Sequence, residues 1–143
     1  TLNGDVLVVT VEVKAAEDGE YNLGVWFMQD DVYGQQTDGL GIADNSYNYH
    51  ENCVRSADSR YGNTYGGYPL GEIKAGMTAK RTFSLDFSEV IGEDGETRKE
   101  LWKLKDMSDI HLAAFVTVKD GRYYEVVNVV DCPINQPTPY EYK

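Results

Sequence analysis

Apolar and polar side chains alternate with a period of two along much of this chain. In residues 5–16, Leu7, Val9, Val11 and Val13 share one face and Thr10, Glu12 and Lys14 the other. That spacing predicts a half-buried strand. Residues 21–31, YNLGVWFMQDD, differ: Leu23, Val25 and Phe27 point one way, Trp26 and Met28 the other. Apolar side chains on both faces predict a strand covered on both sides, near the middle of a sheet. Between the two strands lies Asp18-Gly19. Asp-Gly tolerates the positive φ of a tight hairpin turn, so the two strands are expected to pair antiparallel.

The alternation returns in residues 80–88, with Phe83, Leu85 and Phe87 inward and Thr82, Ser84 and Asp86 outward. In residues 110–119, Ile110, Leu112, Ala114, Val116 and Val118 share a face while Phe115 lies opposite, so both sides are again expected to be covered. Asp120-Gly121 predicts a second hairpin turn, with residues 122–131 as the returning strand. Pro133, Pro137 and Pro139 then end regular structure. Residues 32–71 are irregular and hold Tyr33, Tyr47, Tyr49, Tyr61, Tyr65 and Tyr68 among repeated glycines. A structureless loop of that length is unusual in a compact domain. A short strand is therefore expected around residues 49–56, and a tight loop through 61–67. Residues 92–96 form an acidic turn. Thr97 with Glu100 matches a capping box for one or two helical turns, with Trp102 and Leu104 tucked under the sheet. Short strands separated by turn signals predict an all-β fold, an antiparallel β-sandwich with long loops and at most one short helix.

Composition narrows the function classes. The 143 residues suit a single domain, residues 1–143, with a sizeable core. Thirteen Lys and Arg stand against twenty-four Asp and Glu, a formal charge of −11. That balance disfavours nucleic acid and anionic membrane surfaces, which need a basic footprint. No apolar run approaches the ~18 residues of a membrane helix, so no direct membrane insertion by this domain is expected. The chain begins at Thr1, and an upstream segment is expected to have been removed. Cys53 and Cys132 allow one intramolecular pairing; sequence leaves open whether it forms.

Three segments together carry a family resemblance. QDDVYGQQ, residues 29–36, looks like an apolar strand followed by an acidic residue and Asp, two apolar residues and a Gln; Asp30, Val32 and Gln36 match, while Gln29 replaces a Glu and Asp31 a Gly. YNYHENCVRSA, residues 47–57, matches a second pattern at His50 and Arg55, with Glu51-Asn52 in place of an Asn-His pair. The third, residues 109–128 with the run HLAAFVTVKDGRYYEVVN, is similar to a closing hairpin. In this order and spacing the chain resembles the twenty-eight-kilodalton outer-membrane-protein family, exported lipoproteins of Bacteroides-type bacteria. The resemblance implies that the sandwich is immunoglobulin-like and forms the carboxy-terminal part of a longer exported protein in the periplasm or at the outer membrane. It implies no known activity.

Candidate chemistry is thin. His50 and Cys53 invite a Cys–His pairing, but on one strand their odd offset puts them on opposite faces. No catalytic residue is expected. Asp30, Asp31, Asp38 and Asp44 fall in one loop system, and Glu93, Asp94 and Glu96 in another. Calcium is the metal such loops would take, but neither has the regular alternate-position spacing with a closing Glu, so no metal or other cofactor is assigned. Tyr47, Tyr49, Tyr61, Tyr65 and Tyr68 are candidate ligand contacts, because tyrosines on Gly-rich loops give stiff amphipathic surface. Equally, they can cap the end of the fold. Asp30, Gln36, His50 and Arg55 are expected to form a polar network fixing the loop after the central strand. The expected role is a non-enzymatic scaffold or binding module with a glycan or protein partner at the cell envelope. The alternative is an accessory domain presenting glycans or peptides to an enzyme through its tyrosines.

Overall fold

The computed structural model describes residues 1–34, 48–57, 67–89, 95–104 and 107–140. Its strands are β1 (Leu2–Asn3), β2 (Val6–Lys14), β3 (Gly19–Gln29), β4 (Val32–Tyr33), β5 (Tyr49–His50), β6 (Cys53–Ala57), β7 (Tyr68–Ile73), β8 (Thr78–Asp86), β9 (Ile110–Asp120) and β10 (Tyr123–Pro133). One short helix, α1, spans Arg98–Leu101, and a 3-10 turn spans Met107–Asp109. Every described ladder is antiparallel. A three-stranded sheet runs β1-β2-β8. A five-stranded sheet runs β10-β9-β3-β6, with β7 also pairing β3. The pair β4-β5 stands apart.

One core draws on both larger sheets. The three-stranded sheet supplies Leu7, Val13, Phe83 and Leu85; the five-stranded sheet supplies Leu23, Val25, Phe27, Ile110, Leu112 and Ala114. These are the alternating inward positions of their strands, which is why period two predicted them. Phe87 and Trp102 close one end of the core, ring edge against ring face at 5.4 Å. Trp102 follows α1, whose cap Thr97 accepts from the Glu100 N–H at 3.3 Å as the capping box requires. Buried Gln29 then donates to the Trp102 carbonyl at 2.8 Å, tying the end of β3 to the helix.

Three expectations are corrected. The strand of residues 5–16 does not pair with β3; β2 lies in the other sheet, between β1 and β8. The Asp18-Gly19 step is not a hairpin turn, because Gly19 lacks the positive φ that such a turn needs. Asp18 instead accepts the Ala75 N–H at 2.8 Å, while Ala15 N–H donates to the Met77 carbonyl at 3.0 Å. The turn is thereby fastened to the β7–β8 connection and carries the chain from one sheet to the other. The expected strand of residues 49–56 is also not continuous. Asn52, at φ 57°, breaks it into β5 and β6. The second hairpin stands as expected: Gly121 has φ 60° and β9 pairs with β10.

Candidate functional site

The chain is least regular where β3 hands over to β4. Gln29 faces Cys53 in the β3–β6 ladder, and Val32 faces His50 in the β4–β5 ladder. Each strand spends two residues between those pairs, Asp30-Asp31 on one side and Glu51-Asn52 on the other. Asp31 and Asn52 both take the left-handed conformation, at φ 54° and 57°. Asp and Asn are the side chains that tolerate it best. A hairpin kinked on both strands at one level changes direction there. The Asp30 carboxylate bridges the break by accepting the Asn52 N–H at 2.8 Å.

That arm carries Tyr33 and Tyr49, directly opposite each other, with ring centroids 5.5 Å apart and edge to face. Tyr33 is 62 % exposed and Tyr49 51 %. His50 donates from Nε2 to the Gly34 carbonyl at 3.1 Å, and Gly34 N–H donates to the Asn48 carbonyl at 2.8 Å, which closes the described part of the arm.

At the base of the kink, three strands bring charge together. Met28 of β3 lies opposite His111 of β9, which lies opposite Pro133 of β10. His111 Nδ1–H donates to Asp131 Oδ1 at 2.8 Å, and its Nε2 lies 3.3 Å from Asp30 Oδ1. The Asn52 N–H holds the Asp30 carboxyl below the usual carboxylate range; partial burial opposes this, and His111 and Glu51 reinforce it.

Beside this cluster runs the outward face of the five-stranded sheet. Cross-strand pairs share a face, so Val54, Met28, Trp26, Ala113, Phe115, Val129 and Val126 all point away from the core. Trp26 packs edge-on against Phe115 at 5.0 Å. The Phe115 ring in turn lies over Gly24, its cross-strand partner, where a Cβ would sit 2.2 Å from Cζ. Met28 is buried, but Trp26 is 42 % exposed, Val129 48 % and Val54 51 %. The expectation that β3 is covered on both faces therefore holds at Met28 and fails at Trp26.

The candidate residues separate. Tyr49 stands on the arm. Tyr68, on β7, lies under the Arg81 guanidinium, 3.1 Å from its ring centroid, so its ring face is occupied. Tyr47, Tyr61, Tyr65 and Gln36 lie outside the described residues, as do Asp38, Asp44, Glu93 and Asp94. The expected polar network is not drawn as one unit: Asp30 faces Asn52 and His111, His50 faces Gly34, and Arg55 lies over the Trp102 ring at 5.6 Å. Arg55 is thus a core-capping cation rather than the partner of Asp30. The Cys53 thiol donates to the His50 carbonyl at 3.8 Å, so its contact with that residue is to backbone, not to the ring. Among the described residues no group of three or more His, Cys, Asp or Glu is arranged to hold a metal ion.

The features that sequence reasoning passed over are Asp131, the placing of His111 between Asp131 and Asp30, and the outward valines. The alternation did put Trp26 and Phe115 on the outer face; it carried no signal of what covers them. No family model, curated protein or solved structure matches the chain.

Proposed function

We propose that this chain is a non-enzymatic binding module, an immunoglobulin-like β-sandwich that docks a polypeptide on the outer face of its five-stranded sheet. One observation carries the reading: the contiguous outward apolar stripe of Val54, Trp26, Phe115 and Val129, three of whose side chains keep two-fifths or more of their surface in solvent. Single exposed apolar residues are ordinary, whereas a contiguous stripe across four strands marks an interaction surface. The sandwich reading is supported by a core shared between the two larger sheets. The envelope address, as part of an outer-membrane lipoprotein, rests on the resemblance of residues 29–36, 47–57 and 109–128 alone.

Aliphatic valines around the tryptophan favour a polypeptide over a sugar, because they offer contact area without a flat stacking plane. A second reading has its own support. The exposed Tyr33–Tyr49 pair is a stiff aromatic edge suited to a glycan presented to an enzyme. A backbone amide NMR titration against peptides and envelope-type glycans separates the two. Shifts centred on Val54, Trp26, Phe115 and Val129 uphold the docking face. Shifts on Tyr33 and Tyr49 instead favour the glycan reading. No shift at millimolar ligand overturns both.

A further inference from the structure

The outer face is not neutral at both ends. Its apolar stripe runs into Asp30 and Asp131, which flank His111 and remain 42 % and 69 % exposed at their side chains. Exposed Glu51 adjoins Asp30. The whole chain carries −11. We propose that the occupant of this face is a basic amphipathic polypeptide segment, its aliphatic or aromatic side chains on Trp26, Val54 and Val129 and its Lys or Arg side chains at Asp30 and Asp131. The proposal rests on the reading of this face as a docking surface and adds the chemistry of what docks there.

Two other occupants fit less well. A strand added to the edge of β10 would need that strand's outward donors. Val129 N–H is taken by the side-chain oxygen of Asn128 at 2.8 Å, Pro133 has no N–H, and a register shift interrupts the ladder between Val126 and Asn128. Such features blunt an edge. A second copy would bring another eleven negative charges against the first, and like charges across an interface select against that partner. A basic segment meets neither obstacle. Complementary charge also speeds its encounter with the acidic end of the stripe.

The test uses three labelled peptides of equal length that alternate leucine with lysine, serine or glutamate. Binding to the wild-type chain and to Trp26→Ser, Asp30→Asn and Asp131→Asn is read by fluorescence anisotropy. The expected result is binding of the lysine peptide, weaker binding of the serine peptide and none of the glutamate peptide. Trp26→Ser should weaken the lysine peptide more than about tenfold, as truncation of a central aromatic anchor does. Each Asp→Asn change should weaken it about two- to fivefold, the range of exposed ion pairs. Asp131→Asn guards against a folding effect of Asp30→Asn, because Asp30 and not Asp131 accepts the Asn52 N–H across the kink. If lysine and serine peptides bind alike, the basic partner is refuted while the docking face stands. If Trp26→Ser changes nothing, the face itself is refuted, whatever the charge dependence. A wild-type dimer in sedimentation equilibrium that Trp26→Ser abolishes would make the occupant a second copy and overturn the proposal.

Discussion

Gly24 sits in the middle of β3 without the positive φ that would make glycine obligatory, so its backbone accepts alanine. What resists alanine is the ring above it. A Cβ at Gly24 meets Phe115 at 2.2 Å from Cζ, 2.6 Å from Cε2 and 2.7 Å from Cε1. Phe115 must therefore swing outward, and with it the edge contact to Trp26 at 5.0 Å is lost. Overpacking of this kind costs about 1–3 kcal/mol, and the aromatic pair is worth ~0.5–1.5 kcal/mol beyond its area. Against this, alanine lowers the entropy of the unfolded chain by about 0.5–1 kcal/mol in favour of folding. Gly24→Ala should destabilise by roughly 1–3 kcal/mol net, a fall in Tm of about 3–10 °C for a chain of this size. In a Phe115→Ala background the obstacle is gone, and the same change should be neutral or stabilising by up to ~1 kcal/mol. Urea unfolding of the four proteins gives the cycle, with an expected coupling of about 2 kcal/mol. Equal destabilisation in both backgrounds would refute the reasoning and place the cost in the β3 backbone rather than under the ring.

The Asp30 carboxyl, held low chiefly by the Asn52 N–H, contributes stability that is present above the ordinary carboxylate range and lost as pH falls through its depressed folded value. Asp30→Asn should therefore flatten part of the acid limb of a Tm-against-pH curve while leaving neutral-pH amide shifts outside the kink unchanged; an unaltered acid limb would sink that assignment. Cys53 and Cys132 are free thiols on β6 and β10, with β3 and β9 between them. Strand spacing of ~4.8 Å sets them roughly 14 Å apart, beyond the ~7 Å that a disulfide spans. Both should alkylate in denaturant after mild oxidation of the folded monomer, and recovery of an intramolecular bridge would contradict the strand order.

Strand positions were legible wherever one face is buried, because burial imposes the period. Leu7, Phe83 and Leu112 follow from that alone. Sheet membership was not legible. Asp18-Gly19 looks like a hairpin turn to local chemistry, and the pairing that puts β2 in the other sheet is with β8, distant in sequence. The same non-locality hid the charged cluster. Local spacing groups Asp30 with Gln36, His50 and Arg55, whereas the β3–β9–β10 register brings His111 and Asp131 to its side. Alternation puts Trp26 on its observed face but not under a cover, since it gives a side chain's direction and says nothing of a further layer. Asn52 reads as part of a strand from sequence, because asparagine's tolerance of positive φ is a permission that becomes a break only where the partner strand breaks as well.

The joint between the two ladders has a consequence for how this chain can vary. Asp30-Asp31 and Glu51-Asn52 are matched in length, so β4 and β5 resume in step. Removing one residue from the Asp30-Asp31 side would slide the arm by one position and set Tyr33 against His50 instead of Tyr49, and removing one from the Glu51-Asn52 side would set Tyr49 against Val32. Removing one from each side would shorten the arm and keep its aromatic pair. Insertions and deletions here are tolerable only in pairs, although the two sites are far apart in the chain. Related sequences should change length at both or at neither.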